Sequence, residues 1–186
     1  MIYRAQVLRD ADFSALTYSG LMPLDDAIAP AVELCARRSL RAITFNKCPL
    51  PVRTLLGLPP LRPAPQVIAK ELSLKWMQLG ALDAKIIAAL LRQNRSLTRI
   101  DISWNTDLSS GAIALASALA DNRVLTDVDL SETSLGSAAT DLICRAIVDN
   151  RALTRLNMRS CGMSAEARDA LQRAATARTL PLDLTL

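Results

Sequence analysis

Three stretches decide the fold: LTRIDISWN at residues 97–105, LTDVDLSET at 125–133 and LTRLNMRSC at 153–161. They align without a gap and stand 28 residues apart. Each fits the pattern LxxLxLxxN/C. Its second apolar place is held by Ile100, Val128 and Leu156, its third by Ile102, Leu130 and Met158, and its last place by Asn105, Thr133 and Cys161. Self-similarity at a fixed period means stacked units, and alternation inside each unit means a strand. A further step of 28 reaches Leu184 and Leu186 in PLDLTL, and a step back reaches Leu72, Leu74 and Met77 in AKELSLKWM. One step of 29 beyond that reaches LRAITFNKCPL, with Leu40, Ile43, Phe45, Cys48 and Leu50 in pattern. FSALTYSGL, with Phe13, Leu16, Tyr18 and Leu21, is a weaker first copy. The reading is about seven strands.

Between strands the apolar period lengthens to that of a helix. The inward stripe is Ile86, Ile87, Leu90 and Leu91. In the next copies it becomes Ala114, Leu115, Ala118 and Leu119, then Leu142, Ile143, Ala146 and Ile147. Asn94, Asn122 and Asn150 end these helices, each followed by an arginine: Arg95, Arg123 or Arg151. Asparagine tolerates the left-handed conformation that closes a helix, and a cation suits the carbonyl end. Capping is therefore preferred over an anion-binding strip.

Strand plus helix every 28 residues resembles the ribonuclease-inhibitor-like class of leucine-rich repeats. The resemblance covers about residues 13–186 and implies an α/β solenoid, a parallel sheet on the concave side and helices on the convex side. One repeat cannot bury its own apolar face, so neighbours share one core. The expected organisation is a single domain, 1–186. Residues 1–39 form an atypical first repeat, and 40–68 a repeat with an irregular return at 49–65, where six of nine prolines fall. Regular repeats then run 69–96, 97–124, 125–152 and 153–180, and 181–186 is a terminal strand. The return's Leu55, Leu56, Leu58 and Leu61 are expected to plug the core rather than to dock a partner.

Composition excludes whole classes of function. With 51% apolar and 22% charged residues the chain is not disordered, and with 3% aromatic its core is aliphatic. No histidine is present, so a Ser-His-Asp triad, a Cys-His dyad and a histidine metal site are excluded. No glycine-rich phosphate loop is found, and no cofactor is expected. Cys35, Cys48, Cys144 and Cys161 form no CxxC pair. They read as reduced thiols of a cytoplasmic protein, with Cys48 and Cys161 tied into the core by the resemblance. The longest apolar run, Ile86 to Leu91, is too short to span a bilayer, and Asp10 and Asp12 disrupt any signal-peptide core.

Residues between the pattern leucines are expected on the concave face. They include Glu71, Ser73, Lys75, Arg99, Asp101, Ser103, Asp127, Asp129, Ser131, Arg155, Asn157, Arg159 and Asp183. Acids and bases alternate there without a basic stripe, so nucleic acid is not the expected ligand. Asp101, Asp127 and Asp129, flanked by Arg99 and Arg155, read as a charge-complementary patch rather than as catalytic carboxylates. Trp76 and Trp104 are the only tryptophans and share one repeat column with Lys47, Glu132 and Ser160. That is not a core column, and paired exposed tryptophans point to an interface; the alternative is that they pack against each other and against the ascending loops.

The expected function is a non-enzymatic module that binds another protein. Its contact residues would be Trp76, Trp104, Lys75, Arg99, Asp101, Asp127, Asp129, Arg155 and Arg159. The alternative is a structural subunit of a larger assembly. On either reading the strand Leu182 to Leu186 is expected to be covered by another chain, over Leu171, Ala174 and Ala175. Two weaker readings follow from the resemblance. Ran GTPase-activating proteins use this repeat class with an arginine on a loop near the sheet; Arg53 and Arg159 are the candidates, and no motif singles out either. Ubiquitin ligases use such repeats for recognition, beside a catalytic or adaptor region.

Overall fold

The structure is a computed structural model that describes residues 69–186, Thr54, and the backbone of three short strands before them. Those strands are β1 (Ala15–Thr17), β2 (Ala42–Phe45) and β3 (Cys48–Leu50). β1 and β2 run parallel in the register Leu16↔Ile43, while β3 turns back antiparallel onto β2. The expected irregular return at 49–65 therefore begins inside a strand rather than after one. Leu55, Leu56, Leu58, Leu61, Arg53 and Cys35, and the side chain of Cys48, lie outside the described residues.

From residue 69 on, strand and helix alternate: β4 (Glu71–Ser73), α1 (Ala81–Arg92), β5 (Arg99–Asp101), α2 (Ser109–Asp121), β6 (Asp127–Asp129), α3 (Ser137–Asp149), β7 (Arg155–Asn157), α4 (Ala165–Thr176) and β8 (Asp183–Thr185). The five strands form one parallel sheet in chain order, β4-β5-β6-β7-β8. Every pairing joins residues 28 apart, as in Leu72↔Ile100↔Val128↔Leu156↔Leu184. The sheet order follows the chain order because each unit can bury its apolar side only on the next. The architecture is an α/β leucine-rich-repeat solenoid. Among the described residues no helix is long and apolar enough to cross a membrane.

The core lies between sheet and helices and is aliphatic. Leu97, Leu125 and Leu153, then Ile100, Val128 and Leu156, then Leu74, Ile102, Leu130 and Met158 are all buried. The helical stripe meets them: Ile86, Ile87, Leu90, Leu91, Leu115, Ala118, Leu119, Ile143, Ala146 and Ile147 are buried, and Ala114 and Leu142 pack against them half-buried. Leu171 is fully buried as well, so it does not wait for a further unit to cover it; Ala174 and Ala175 stay half-buried. α1 and α2 approach closely at Gly111, where a Cβ would collide with the Ala81 carbonyl oxygen and lie 2.6 Å from the Ala84 Cβ.

Asn122 and Asn150 do end α2 and α3, their amides donating to the Ala118 and Ala146 carbonyls, but not in the expected conformation. Asn122 (φ −73°, ψ 133°) and Asn150 (φ −77°, ψ 110°) are extended, not left-handed. Their buried carboxamides also act as braces between repeats. Asn150 Nδ2 donates to the Leu119 carbonyl one repeat back at 2.7 Å, and its Oδ1 accepts from the Ala152 and Leu153 amides, both at 2.9 Å. Asn122 does the same with Leu91, Val124 and Leu125, and Asn94 binds the Ser96 and Leu97 amides. The next residue in the series is Arg178, whose Nη1 donates to the Ile147 carbonyl at 2.8 Å and Nη2 to that of Leu153 at 2.6 Å. The neighbouring arginines do cap carbonyl ends: Arg123 Nη1 donates to the Ala120 oxygen and Arg95 Nη1 to that of Asn94.

Candidate functional site

Alternation along the short strands sorts the concave face into columns that run across the sheet. The first is Glu71, Arg99, Asp127, Arg155 and Asp183, in register on adjacent strands. Its charges alternate from strand to strand. Asp127 Oδ2 lies 3.7 Å from Arg99 Nε and 3.2 Å from Arg155 Nη1, and Arg155 Nε lies 3.1 Å from Asp183 Oδ2. Opposite charges directly across a strand pair attract, so this column satisfies itself.

The second column is Ser73, Asp101, Asp129, Asn157 and Thr185. Here the acids turn their oxygens back on their own chain. Asp101 Oδ1 accepts from the Ser103 amide at 2.9 Å and its hydroxyl at 2.6 Å; Asp129 Oδ1 accepts from Ser131 at the same two distances. Asn157 Oδ1 accepts from the Arg159 amide at 3.2 Å. This is the Asx turn, in which a short polar side chain closes the backbone two residues on. Ser103 is buried and so is not on the open face as expected, while Ser131, in the same turn, is half-buried. Asn157 Nδ2 also donates to Asp129 Oδ2 at 3.0 Å, and Ser73 Oγ to Asp101 Oδ2 at 3.4 Å. The three acids are thus divided: Asp127 is in the ion column, and Asp101 and Asp129 shape turns.

Beyond them the chain leaves the sheet through a column in the left-handed region: Trp76 (φ 61°), Trp104 (φ 61°), Glu132 (φ 57°) and Ser160 (φ 57°). None is glycine, although this region costs other residues about 1–3 kcal/mol. Backbone bonds to the next repeat hold it: the Trp76 amide donates to the Ser103 carbonyl at 3.2 Å, Trp104 to Ser131 at 2.9 Å and Glu132 to Arg159 at 2.9 Å. The two indoles stack, with centroids 5.0 Å apart and planes 12° from parallel. They remain 65% and 41% exposed. Ile113, Val148 and Leu180 are exposed too, but singly; the two indoles and Met77 are neighbours and form a patch. Lys75, Met77 and Gln78 are exposed beside them, and Arg159 is exposed at the far end of the Lys75 column. Sequence reading passed over Met77, Gln78 and Glu132 as site residues; the shared column of Glu132 with the tryptophans was its signal.

Cys161, in the closing place of its repeat, is buried. Its Sγ donates to the Leu130 carbonyl at 3.0 Å and lies 3.7 Å from Thr133 Oγ1. Burial pushes this thiol above the ordinary range, against the opposing effect of Thr133. Asn105 fills the same place two repeats earlier, donating to the Leu74 carbonyl at 3.0 Å and accepting the Leu79 amide at 3.0 Å. Among the described residues no group of histidine, cysteine or acidic side chains could hold a metal ion.

Comparison with known proteins agrees with this architecture. A family described as Leucine Rich repeat matches residues 93–116. No curated protein matches the sequence. A solved structure titled Leiomodin-1 Actin-Binding Site 2 (ABS2) superposes with a TM-score of 0.60 at 18% identity, covering 72% of this chain and 74% of that one. At that identity the likeness is one of fold. The sequence pattern, the strand register and this likeness share one architecture, the leucine-rich-repeat solenoid.

Proposed function

We propose that this leucine-rich-repeat solenoid is a non-enzymatic module that binds another protein across its concave sheet, with the stacked Trp76–Trp104 pair as the anchor. The observation that carries the reading is the exposure of that pair, 65% and 41%, at the rim of a face whose other columns are polar. Tryptophan is enriched among residues that dominate binding energy, and a preformed stack loses little side-chain freedom on contact. Lys75 and Arg159 at the rim, and Arg99, Asp127 and Arg155 in the ion column, supply polar complementarity around it. Asp101 and Asp129 offer the partner only the lone pairs that the turns leave over.

The test is a photo-reactive side chain at position 75, on the concave rim, compared with one at Arg145, exposed on α3. Cross-links to one protein from position 75, absent from position 145 and lost in Trp76→Ala/Trp104→Ala, support the reading. The double variant should keep its melting temperature within a few degrees and lose affinity by about 2 kcal/mol or more. Cross-links that favour position 145, or a double variant that unfolds, would overturn it. The leiomodin-1 structure is titled an actin-binding site, which makes actin a first protein to try.

A further inference from the structure

We infer that the tryptophan rim takes a basic, arginine-bearing segment of the partner, held by the stacked indoles and by Asp101, Asp129 and Glu132. The inference deepens the function proposed above and rests on it. The charges of the concave face are not spent evenly. Asp127, Arg99, Arg155 and Asp183 pair with one another. Asp101 and Asp129 meet only neutral donors, from Ser73, Ser103, Ser131 and Asn157. Glu132 stands next to Trp104 in the left-handed column, and none of these three carboxylates makes an ion pair in the described structure. Lys75 and Arg159 stand at the two ends of the rim, and the stretch between them, with Asp101, Asp129 and Glu132, is acidic, although the chain as a whole carries a net charge of +4.

An aromatic face beside unpaired carboxylates selects one side chain above others. A guanidinium is planar, stacks on an indole and still offers donors in its plane to carboxylates. Lysine satisfies the charge without the stacking. An acidic segment meets three carboxylates, and a purely apolar one leaves them desolvated without partners.

Trp76 and Trp104 are the only tryptophans, so tryptophan emission, excited to the red of the tyrosine band, reports on this rim alone. The experiment titrates the full chain with oligoarginine, oligolysine and oligoglutamate peptides of equal length. Expected is a saturable change in emission with oligoarginine, at affinity about tenfold above oligolysine, and none with oligoglutamate. Asp101→Asn with Glu132→Gln should weaken oligoarginine binding about tenfold at unchanged melting temperature. Asn157 already closes the equivalent turn with a carboxamide, so the Asp101→Asn substitution can keep that turn. Asp129 is left alone because it receives the Asn157 amide.

No saturable change with oligoarginine, or equal binding of oligoglutamate, overturns the inference. So does a partner whose segment cross-linked to position 75 is neutral or acidic, and that result leaves the broader reading intact. Cross-links confined to the helical side overturn the broader reading itself.

Discussion

At the scale of single residues, two positions give opposite lessons about small side chains. Gly111 lies inside α2, where alanine ordinarily adds about 1 kcal/mol of helix stability. Here the added Cβ would meet the Ala81 carbonyl oxygen, which belongs to the backbone and cannot swing aside. Gly111→Ala is therefore expected to cost about 1–3 kcal/mol, read as a fall in melting temperature; a rise would show that α1 and α2 do not approach this closely. Cys161 is small, buried and chemically quiet. Its thiol is raised chiefly by burial, so it stays protonated at neutral pH and is a poor nucleophile. Iodoacetamide should label it far more slowly in the native protein than in urea, as mass spectrometry would show. The sign for stability follows. A thiol raised above its unfolded value contributes fully below the ordinary thiol range and loses that contribution as pH rises through the raised value.

At the scale of elements, what joins one repeat to the next differs in worth from column to column. The buried asparagine braces matter most. Asn150→Ala would strand the Leu119 carbonyl and the Leu153 amide away from water and leave the half-buried Ala152 amide unbonded, at a cost of about 2–4 kcal/mol. Arg178→Ala removes the corresponding brace in a half-exposed place and should cost about 1–2 kcal/mol. Urea unfolding of the pair of variants measures both; equal costs would mean that burial is not what gives the brace its strength. The ion column lies at the other extreme. Arg155 bridges Asp127 and Asp183, yet its side chain is 55% exposed. Arg155→Ala should cost less than about 1 kcal/mol, and the difference should shrink as salt is added. A large, salt-independent loss would instead assign Arg155 a packing role.

At the scale of the whole molecule, the strands, their register and the core were legible because one period governs all three. Ile100, Val128 and Leu156 stand 28 apart in sequence and side by side in the sheet. The indole pair was legible for the same reason: residues one period apart on adjacent strands must lie about 4.8 Å apart, and the rings stand at 5.0 Å. What stayed hidden was local and backbone in origin. The left-handed column carries Trp, Trp, Glu and Ser, none of which announces a positive φ, because inter-repeat bonds impose it. Nothing in the sequence sets Ser103 apart from Ser131, yet only Ser103 is buried, and the asparagines announced caps but not the braces that their side chains also make to carbonyls one repeat away. That construction has a mechanical consequence. Each repeat is joined only to its neighbours, strand to strand, helix to helix and through the braces, so a force pulling the chain's ends along the stack loads one junction after another, like a zipper. Under tension the described repeats should peel singly, each releasing about 100 Å of chain for its 28 residues. A single rupture that frees all of them together would show that the stack bears load as one block.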